Sequence, residues 1–399
     1  MKPSLAVSSL LLLGGILVGT SSVAQLSQRT ISEHSYYPPG FDTPQIAPEI
    51  PFDTPNSDYF VLPGDANFGE ISAVAANAKG HVFILSRSNL KGDIHGGSAT
   101  QVFEFDEKGK YVREFGRDLY SFGYGHGVRI DKNGNIWVVD KGTDMVTEIN
   151  YKTGKVMLVL GRREELSTPY WLHDPGERAK RPPEEGGFAE PTDVAWDSKG
   201  NIYVSDGYVH SRVAKYDKDG TWIGSWGTRG VGPGQFWTAH NVAVDKYDHV
   251  WVADRSNGRL QVFDTDGKFI KQVIINVPTR AYQPLMGHEY PPDANEISTP
   301  EHMANMAYRP GAPDALCIPP DNPDVMFIGD LYPGRIYKID LNGKVLGYFG
   351  HVGKLPGETG AVHGIACPSE NLIYTAEFIN WRTQRWVLHP ERAQPAVAH

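Results

Sequence analysis

The sequence has few cysteines, no excess of positive charge and no sustained helical periodicity, and each shortage narrows the classes of protein that it fits. Two cysteines, Cys317 and Cys367, allow one disulfide in an oxidising compartment, and two buried free thiols fit the sequence equally well. A formal net charge of −9 argues against nucleic acid or an anionic membrane as a partner. The 43 glycines and 29 prolines fall between short β-rich runs, as an all-β protein requires.

The long apolar run of the chain lies at its N-terminus and has the pattern of a signal peptide. Lys2 precedes the apolar stretch 5–19, and small residues lead to a cleavage site after Ala24. No cysteine follows this run, which argues against a lipoprotein anchor. We therefore expect residues 1–24 to be removed and the mature protein to be secreted or periplasmic, with no membrane contact after cleavage.

One pattern recurs from about residue 70 onward. A turn with Asp or Asn and Gly precedes a strand of alternating polarity that usually ends in an acidic residue. The copies are 76–87, 131–140, 197–206, 245–254, 321–330 and 369–377. Several are followed by a second hairpin, and no helical pattern separates them. A series of unrelated hairpins is the alternative, and six copies argue against it, so we predict an all-β, six-bladed β-propeller.

The propeller is expected to span residues 63–390. Before it, residues 25–62 are rich in proline, and we interpret them as an extended segment, either a linker or a strap over the domain. Residues 391–399 form a short C-terminal tail. Because a blade takes about 40–45 residues, additional loops are expected after residue 160 and around 276–312.

Histidine recurs at one position of alternate repeats. His126, His240 and His363 each lie 14 residues before the residue that ends the strand, namely Asp140, Asp254 and Glu377. The same count reaches Ala73, Thr192 and Leu316 in the other repeats. Alternate blades of a six-fold wheel are about 120° apart, so three imidazoles at its axis would form a metal site with an open position, as in catalytic zinc sites. Three unrelated turn histidines, or a polar channel with or without a structural ion, are the alternatives.

Three further residues are candidates for the chemistry around such a metal. Arg87 stands where the other repeats place an acid, so we expect it to face the same side as those acids. Tyr208 follows the tight Asp206-Gly207 turn, and a tyrosine near a divalent cation can act as a base. Arg255 is a weaker candidate, because Asp-Arg pairs at strand ends are often structural. A solvated arginine and an ordinary loop aromatic are the alternative interpretations of Arg87 and Tyr208.

The motifs in these repeats resemble the lyase domain of the peptidylglycine α-amidating enzymes, a six-bladed propeller of NHL repeats. The resemblance covers about residues 70–390 and is strongest over 188–270. The segments that carry it are "PTDVA" at 191–195, "YVSDGYVHSR" at 203–212 and "ADRSNGR" at 253–259. Enzymes of this family cleave an α-hydroxyglycine, a carbinolamide, into an amide and glyoxylate.

The resemblance implies a role for each candidate. The zinc-binding histidines of the family match His126, His240 and His363, its catalytic tyrosine matches Tyr208, and its essential arginine matches Arg87. The zinc would hold substrate oxygens, Tyr208 would take the hydroxyl proton as the C–N bond breaks, and Arg87 would stabilise the developing negative charge.

The chain also departs from this family. Gly364 replaces the aspartate that follows the third histidine and helps to bind a structural calcium, so calcium is in doubt here, although carbonyls near Val74 and Val128 remain. Ala361 replaces a methionine. Cysteine pairs of the family fall on Ala189 with Val209 and on Trp251 with Val262.

The sequence therefore predicts an exported, zinc-dependent lyase that acts on a small-molecule or peptide-terminal α-hydroxyglycine-like substrate. One alternative is a metal-dependent propeller hydrolase such as a lactonase, whose usual carboxylate and asparagine ligands differ from three histidines. The other is a non-catalytic NHL-type binding scaffold whose channel holds a structural ion. The replacement of two residues of the family by Gly364 and Ala361 adds weight to this scaffold alternative.

Overall fold

The computed structural model describes residues 44–55, 59–64, 66–87, 100–162, 182–278, 310–331 and 333–393. The predicted signal peptide and the start of the Pro-rich segment lie outside these ranges, as do residues 394–399 of the predicted tail. Over the described residues the chain is almost entirely β-structure, with two single-turn 3₁₀ helices at Arg255–Asn257 and Pro390–Arg392. No helix among these residues is long and apolar enough to cross a membrane.

Twenty-eight strands are defined in this part of the chain. They are β1 (Phe52–Asp53), β2 (Glu70–Ala76), β3 (Val82–Arg87), β4 (Thr100–Phe105), β5 (Tyr111–Phe115), β6 (Gly125–Ile130), β7 (Ile136–Asp140), β8 (Met145–Ile149), β9 (Val156–Gly161), β10 (Asp193–Trp196), β11 (Ile202–Asp206), β12 (Arg212–Tyr216), β13 (Trp222–Trp226), β14 (Thr228–Arg229), β15 (Gln235–Phe236), β16 (Ala239–Val244), β17 (Val250–Asp254), β18 (Arg259–Phe263), β19 (Phe269–Val273), β20 (Pro313–Cys317), β21 (Val325–Asp330), β22 (Ile336–Asp340), β23 (Val345–Phe349), β24 (His351–Val352), β25 (Glu358–Thr359), β26 (Gly364–Ser369), β27 (Leu372–Glu377) and β28 (Arg382–Leu388).

These strands form six four-stranded antiparallel sheets, which are the blades of a propeller. Blades 1 to 5 have the orders β2-β3-β4-β5, β6-β7-β8-β9, β10-β11-β12-β13, β16-β17-β18-β19 and β20-β21-β22-β23, and blade 6 has the order β26-β27-β28-β1. The pairs β14–β15 and β24–β25 are short parallel additions between blades. The predicted all-β, six-bladed propeller is confirmed.

The turns between the first two strands of a blade explain the recurring Asp and Gly. Asp131 Oδ1 accepts hydrogen bonds from the backbone N–H groups of Asn133 and Asn135, at 2.8 and 2.9 Å. Gly134 lies at φ +83°, in the left-handed region that glycine adopts without steric cost. The same side chain-to-backbone pattern recurs at Asp197, which accepts from two backbone N–H groups of its turn. The aspartate therefore fixes the first hairpin of blades 2, 3 and 4.

The hydrophobic core lies between neighbouring blades rather than inside any one of them. Trp251 and Leu260 of blade 4, for example, pack in one buried cluster with Ile328 and Tyr337 of blade 5. The alternating strands place their large apolar side chains on the two faces of each blade, where the next blade covers them. This packing fixes the blades around the axis and thereby fixes the positions of the innermost strands.

The N-terminal and C-terminal parts of the chain meet in blade 6. Strand β1 pairs with β28, with Phe52 opposite Leu388, and the Phe52 ring packs edge-on against Trp386, with 4.8 Å between ring centroids. Residues before β1 also follow the outer edge of blade 5, where Pro48 O accepts the Tyr348 N–H at 3.1 Å. The ring of blades is therefore closed by a strand from the N-terminal side.

Cys317 and Cys367 form a disulfide, so the structure resolves the alternative that the sequence left open. Cys317 ends β20 and Cys367 lies in β26, with 6.0 Å between their Cα atoms. The bond joins the innermost strands of blades 5 and 6 and closes a loop with a sequence separation of 50 residues. A crosslink over such a loop stabilises the fold chiefly by restricting the unfolded chain.

Candidate metal centre

One residue at the start of the innermost strand occupies an equivalent place in every blade, and we call this place the ring position. In blade 2 the pairing with β7 is interrupted between Gly125 and Gly127, which leaves His126 in a β-bulge. His240 lies in the corresponding bulge of blade 4, and His363 directly precedes the paired residues of blade 6. The occupants of the ring position in blades 1 to 6 are Ser72, His126, Thr192, His240, Asp314 and His363.

The predicted occupant of the ring position in blade 5 was wrong. The count of 14 residues reached Leu316, whereas the bulge contains Asp314, which lies 16 residues before Asp330. The turn that joins β20 to β21 is longer than those of the other blades, so a count of 14 back from Asp330 stops two residues short of the bulge.

The predicted occupant in blade 1 was also wrong, since the bulge contains Ser72 rather than Ala73. The count began at Arg87, but the strand pairing aligns Ser86 with the acids that end the other strands. Ser86 Oγ accepts the backbone N–H of Gly69 at 3.0 Å, just as the carboxylate of Asp140 accepts that of Tyr124 at 2.9 Å. Arg87 therefore lies one residue beyond the position of the acid.

Each histidine of the ring position is oriented by the next blade. Its Nδ1 lies at hydrogen-bond distance from a backbone carbonyl at the neighbouring ring position: His126 to Thr192 at 2.8 Å, His240 to Asp314 at 2.7 Å and His363 to Ser72 at 2.6 Å. A carbonyl oxygen can only accept, so Nδ1 carries the hydrogen and Nε2 keeps its lone pair. The blades without histidine thus hold the imidazoles of the blades with histidine, an arrangement typical of metal-bound histidines.

The three imidazoles converge on the axis. Their ring centroids are 4.5 to 5.0 Å apart, and the nitrogen atoms that could bind an ion all lie within 4.8 Å of one another. All three side chains are buried. The count from the strand ends therefore selected three histidines whose side chains meet in the structure. They belong to three different blades, and more than a hundred residues separate each from the next in the chain.

Burial is the main cause that lowers the pKa of His126, His240 and His363 well below the usual range of histidine. The positive charges of Arg87, Lys141 and Arg255 near the site act in the same direction. The imidazoles are therefore neutral near pH 7, as metal ligands must be. Three neutral Nε2 donors with no carboxylate among them fit zinc, and the donor set does not fit calcium, which takes oxygen ligands.

Tyr208 lies directly over the three-histidine group. Its hydroxyl is 3.2 Å from Nε2 of His126 and 3.3 Å from Nε2 of His240. The preceding Gly207 makes this approach feasible, because a Cβ at that position would lie 1.9 Å from the carbonyl oxygen of Ala239. Glycine thus lets the loop after β11 pass against blade 4, so that the tyrosine reaches the axis.

Three cations occupy one equivalent position near the site, the residue directly after the one aligned with the acid of each repeat. They are Arg87, Lys141 and Arg255, in blades 1, 2 and 4. Arg87 donates from Nε to Gly125 O at 2.8 Å and from Nη1 to Glu70 at 3.1 Å. Arg255 and Lys141 lie over the Tyr208 ring, with 5.4 Å from Cζ and 4.5 Å from Nζ to its centroid. Arg87 lies near enough to His126 and His363 for its charge to lower the pKa of both, although its register differs from the one predicted.

Asp314 and Lys141 were missed by sequence reasoning. The buried Asp314 carboxylate lies 3.1 Å from Nδ1 of His240 and 3.1 Å from Nη1 of Arg255, and burial raises its pKa to about 6. Its signal was hidden by the longer turn of blade 5. Lys141 could have been found, since it follows Asp140 as Arg255 follows Asp254.

The calcium site of the resembled family does not fit this chain. A Cβ at Gly364 would lie 2.8 Å from the Cα of Ala73, so blades 6 and 1 are in contact where an aspartate side chain would begin. The sequence-based doubt about calcium therefore has a steric basis.

Comparison with known proteins supports the resemblance found in the sequence. Residues 236–263 match the family model of the NHL repeat. The Caenorhabditis elegans protein named "Probable peptidyl-alpha-hydroxyglycine alpha-amidating lyase pgal-1" is 32% identical over 211 residues, which are 49% of this chain and 55% of the worm protein. "Peptidylglycine alpha-amidating monooxygenase" of Rattus norvegicus is 31% identical over 230 residues, 51% of this chain and 22% of the rat protein.

The chain thus spans between about a fifth and just over half of the length of these relatives. Among solved structures, a Bacteroides thetaiotaomicron protein of unknown function has a TM-score of 0.51 at 13% identity, covering 87% of this chain and 74% of that chain. At that identity the likeness bears on the fold alone.

Proposed function

We propose that this chain, a relative of the peptidyl-α-hydroxyglycine α-amidating lyases, is an exported carbon–nitrogen lyase that splits an N-acyl-α-hydroxyglycine into an amide and glyoxylate. The observation that carries the proposal is the position of the Tyr208 hydroxyl, 3.2 and 3.3 Å from Nε2 of two of the three converging histidines. A tyrosine hydroxyl beside the residues that would hold a metal ion is placed to act as the base of the reaction, and the metal would supply Lewis acidity. The N-terminal signal pattern supports the export part of the proposal.

The reaction breaks the O–H bond of the α-hydroxyl and the C–N bond. The oxygen's electron pair forms the aldehyde C=O of glyoxylate, and the amide nitrogen leaves with the C–N pair and takes up a proton. In this proposal Tyr208 accepts the hydroxyl proton, and Lys141 and Arg255 lie beside its ring. A zinc ion bound by His126, His240 and His363 would act as a Lewis acid toward the substrate oxygens.

The arginines bind the substrate carboxylate in this proposal. Arg87 is held by Glu70 and by the carbonyl of Gly125, and its guanidinium stacks 4.0 Å from the centroid of the Tyr124 ring. Arg255 is held by Asp314 and lies 5.4 Å from the centroid of the Tyr208 ring. Guanidinium groups fixed in this way present a planar pair of donors to a carboxylate and lose little freedom on binding it.

The alternatives fit the site less well. A lactonase-type centre gathers carboxylate and amide oxygens around its ion, and the group that converges here is three imidazoles. A structural metal site has a closed coordination shell made by the protein. Such a site does not need a tyrosine hydroxyl at hydrogen-bond distance from two of its histidines.

The test is glyoxylate release from an N-acyl-α-hydroxyglycine, with zinc content measured on the same samples. We expect wild-type protein to release glyoxylate, His240→Ala to lose both zinc and activity, and the matched control His351→Ala, whose side chain is half-exposed at the surface, to keep both. Zinc without glyoxylate release would contradict the substrate, and the absence of stoichiometric metal would contradict the whole mechanism.

A further inference from the structure

The candidate site holds more positive charge than one substrate carboxylate requires. Arg87 and Arg255 each have a carboxylate partner, Glu70 and Asp314, with nitrogen–oxygen distances of 3.1 Å in both pairs. Lys141 is different. The carboxylate that pairs with it belongs to Glu190, lies 3.8 Å away and is partly exposed, and the pair is therefore looser than the other two.

Lys141 is nevertheless placed toward the reaction site. Its Nζ lies 4.5 Å from the centroid of the Tyr208 ring and 5.6 Å from that of Tyr124, and its backbone N–H donates to Tyr124 O at 3.2 Å. Its positive charge is also one of the causes that lower the pKa of all three histidines of the ring position. The ammonium group thus lies beside the proposed base, on a side chain that is 22% exposed.

We propose that Lys141 binds a second anionic group of the substrate. This inference rests on the proposed function and narrows its substrate to N-acyl-α-hydroxyglycines whose acyl part carries a carboxylate of its own. The carboxylate of the glycine half is bound by the arginines, and the carboxylate of the acyl half displaces Glu190 from Lys141. A compact ammonium on a flexible stem suits an anion whose distance from the reacting carbon varies.

The test compares N-succinyl-α-hydroxyglycine with N-butyryl-α-hydroxyglycine, which has the same chain length without the second charge. We expect wild-type kcat/KM to favour the succinyl substrate by about 10-fold to 100-fold, the usual gain from a hydrogen bond to a charged group. Lys141→Met is expected to abolish that preference, so that kcat/KM falls by about 10-fold to 100-fold more for the succinyl substrate than for the butyryl substrate. Lys155→Met, in an exposed part of the same blade, is the matched control and should keep the preference.

The outcomes separate this inference from the proposed function. If wild-type protein cleaves both substrates equally well, the inference is wrong and the lyase activity stands. If Lys141→Met loses activity equally on both, Lys141 positions Tyr208 rather than recognising the substrate, and the inference is again wrong. If neither substrate releases glyoxylate, the proposed function fails and the inference fails with it.

An independent observation concerns the channel below the three histidines. The Arg129 side chain of blade 2 crosses the channel to three other blades. Its Nε and Nη2 donate to the two carboxylate oxygens of Asp193 at 2.9 and 2.6 Å, and Nη2 also donates to Asn241 Oδ1 at 2.8 Å and to Leu316 O at 3.1 Å. Asp193 and Asn241 directly follow the ring positions of blades 3 and 4.

These acceptors are the oxygen types that calcium takes: a carboxylate, a side-chain amide and a backbone carbonyl. We infer that Arg129 is an internal cation that occupies the place of a channel-bound metal ion, so that this propeller is stable without calcium. The contact of Gly364 with Ala73, which removes the aspartate ligand of the resembled family, agrees with this inference.

Thermal unfolding with EGTA and with about 1 mM CaCl₂ tests this second inference. The Tm of wild-type protein should be the same in both, whereas Arg129→Met should lower it by roughly 5–10 °C in EGTA, because the Asp193 carboxylate is left buried and unpaired. Calcium should restore part of that loss in Arg129→Met, and the double variant Arg129→Met/Asp193→Asn should not respond. A wild-type Tm that rises with calcium, or a single variant that ignores it, would overturn the inference.

Discussion

Substitution of Tyr208 by phenylalanine is the sharpest perturbation of the candidate site, because it removes a single atom. That oxygen lies 3.2 and 3.3 Å from Nε2 of His126 and His240, while the aromatic ring beside Lys141 and Arg255 is kept. If Tyr208 is the general base, kcat/KM should fall by about 10²-fold to 10⁴-fold. This corresponds to about 3–5 kcal/mol of transition-state stabilisation.

The effect on the fold should be much smaller than the effect on catalysis. Loss of one partly buried hydroxyl changes the free energy of unfolding by about 1 kcal/mol at most, and the imidazoles keep their Nδ1 bonds to the backbone carbonyls. We therefore expect Tyr208→Phe to keep its zinc and its Tm while glyoxylate release collapses.

The assay is steady-state glyoxylate release, with zinc content and Tm measured on the same preparation. Tyr247→Phe is the control, since this tyrosine is 63% exposed and lies at the surface of blade 4. If Tyr208→Phe retained activity within about threefold of wild type, it would refute the role of base. A loss of activity that was accompanied by loss of zinc would show that the hydroxyl holds the site together instead.

Three further predictions concern stability. Replacing Cys317 and Cys367 by serine should lower the free energy of unfolding by about 4 kcal/mol, from the entropy of the 50-residue loop, and unchanged urea unfolding would contradict this. Burial raises the pKa of Asp330 to about 7, so the folded state favours its protonated form. The free energy of unfolding of wild-type protein should therefore fall by up to about 4 kcal/mol, relative to Asp330→Asn, as the pH rises from about 4 to above 7. The same pH dependence of unfolding in both proteins would contradict this. Phe52→Ala should cost about 2 kcal/mol, because the ring of the closing strand packs on Trp386, and calorimetry at equal protein concentration checks it.

The fold could be predicted because its local signals repeat. The same turn, with an aspartate that binds two backbone N–H groups and a glycine at positive φ, begins the second strand of several blades. Strands with period-two alternation then leave one apolar face for the next blade to cover. None of this required contacts between distant parts of the chain. The closing strand β1 could not be read in this way, because two residues carry no periodicity.

The histidines could be predicted because equivalent positions in the repeats occupy equivalent places in the blades around the propeller axis. The same method failed for Ser72 and Asp314, where one strand end was misassigned and one turn was longer. A residue count along the repeats cannot predict ion pairs that depend on the direction of the side chains. The looser pair of Lys141 with Glu190 and the bridge of Arg129 to Asp193 join residues of different blades and follow only from the packed structure.

The metal content of the purified protein tests the central claim most directly. Inductively coupled plasma mass spectrometry of the full chain should find about one zinc ion per chain, as a single three-histidine site requires. Calcium should be at the background level. His363→Ala should lose the zinc, while His351→Ala should keep it. Protein that is folded and monodisperse but holds no stoichiometric zinc, before and after incubation with the metal, would contradict the account.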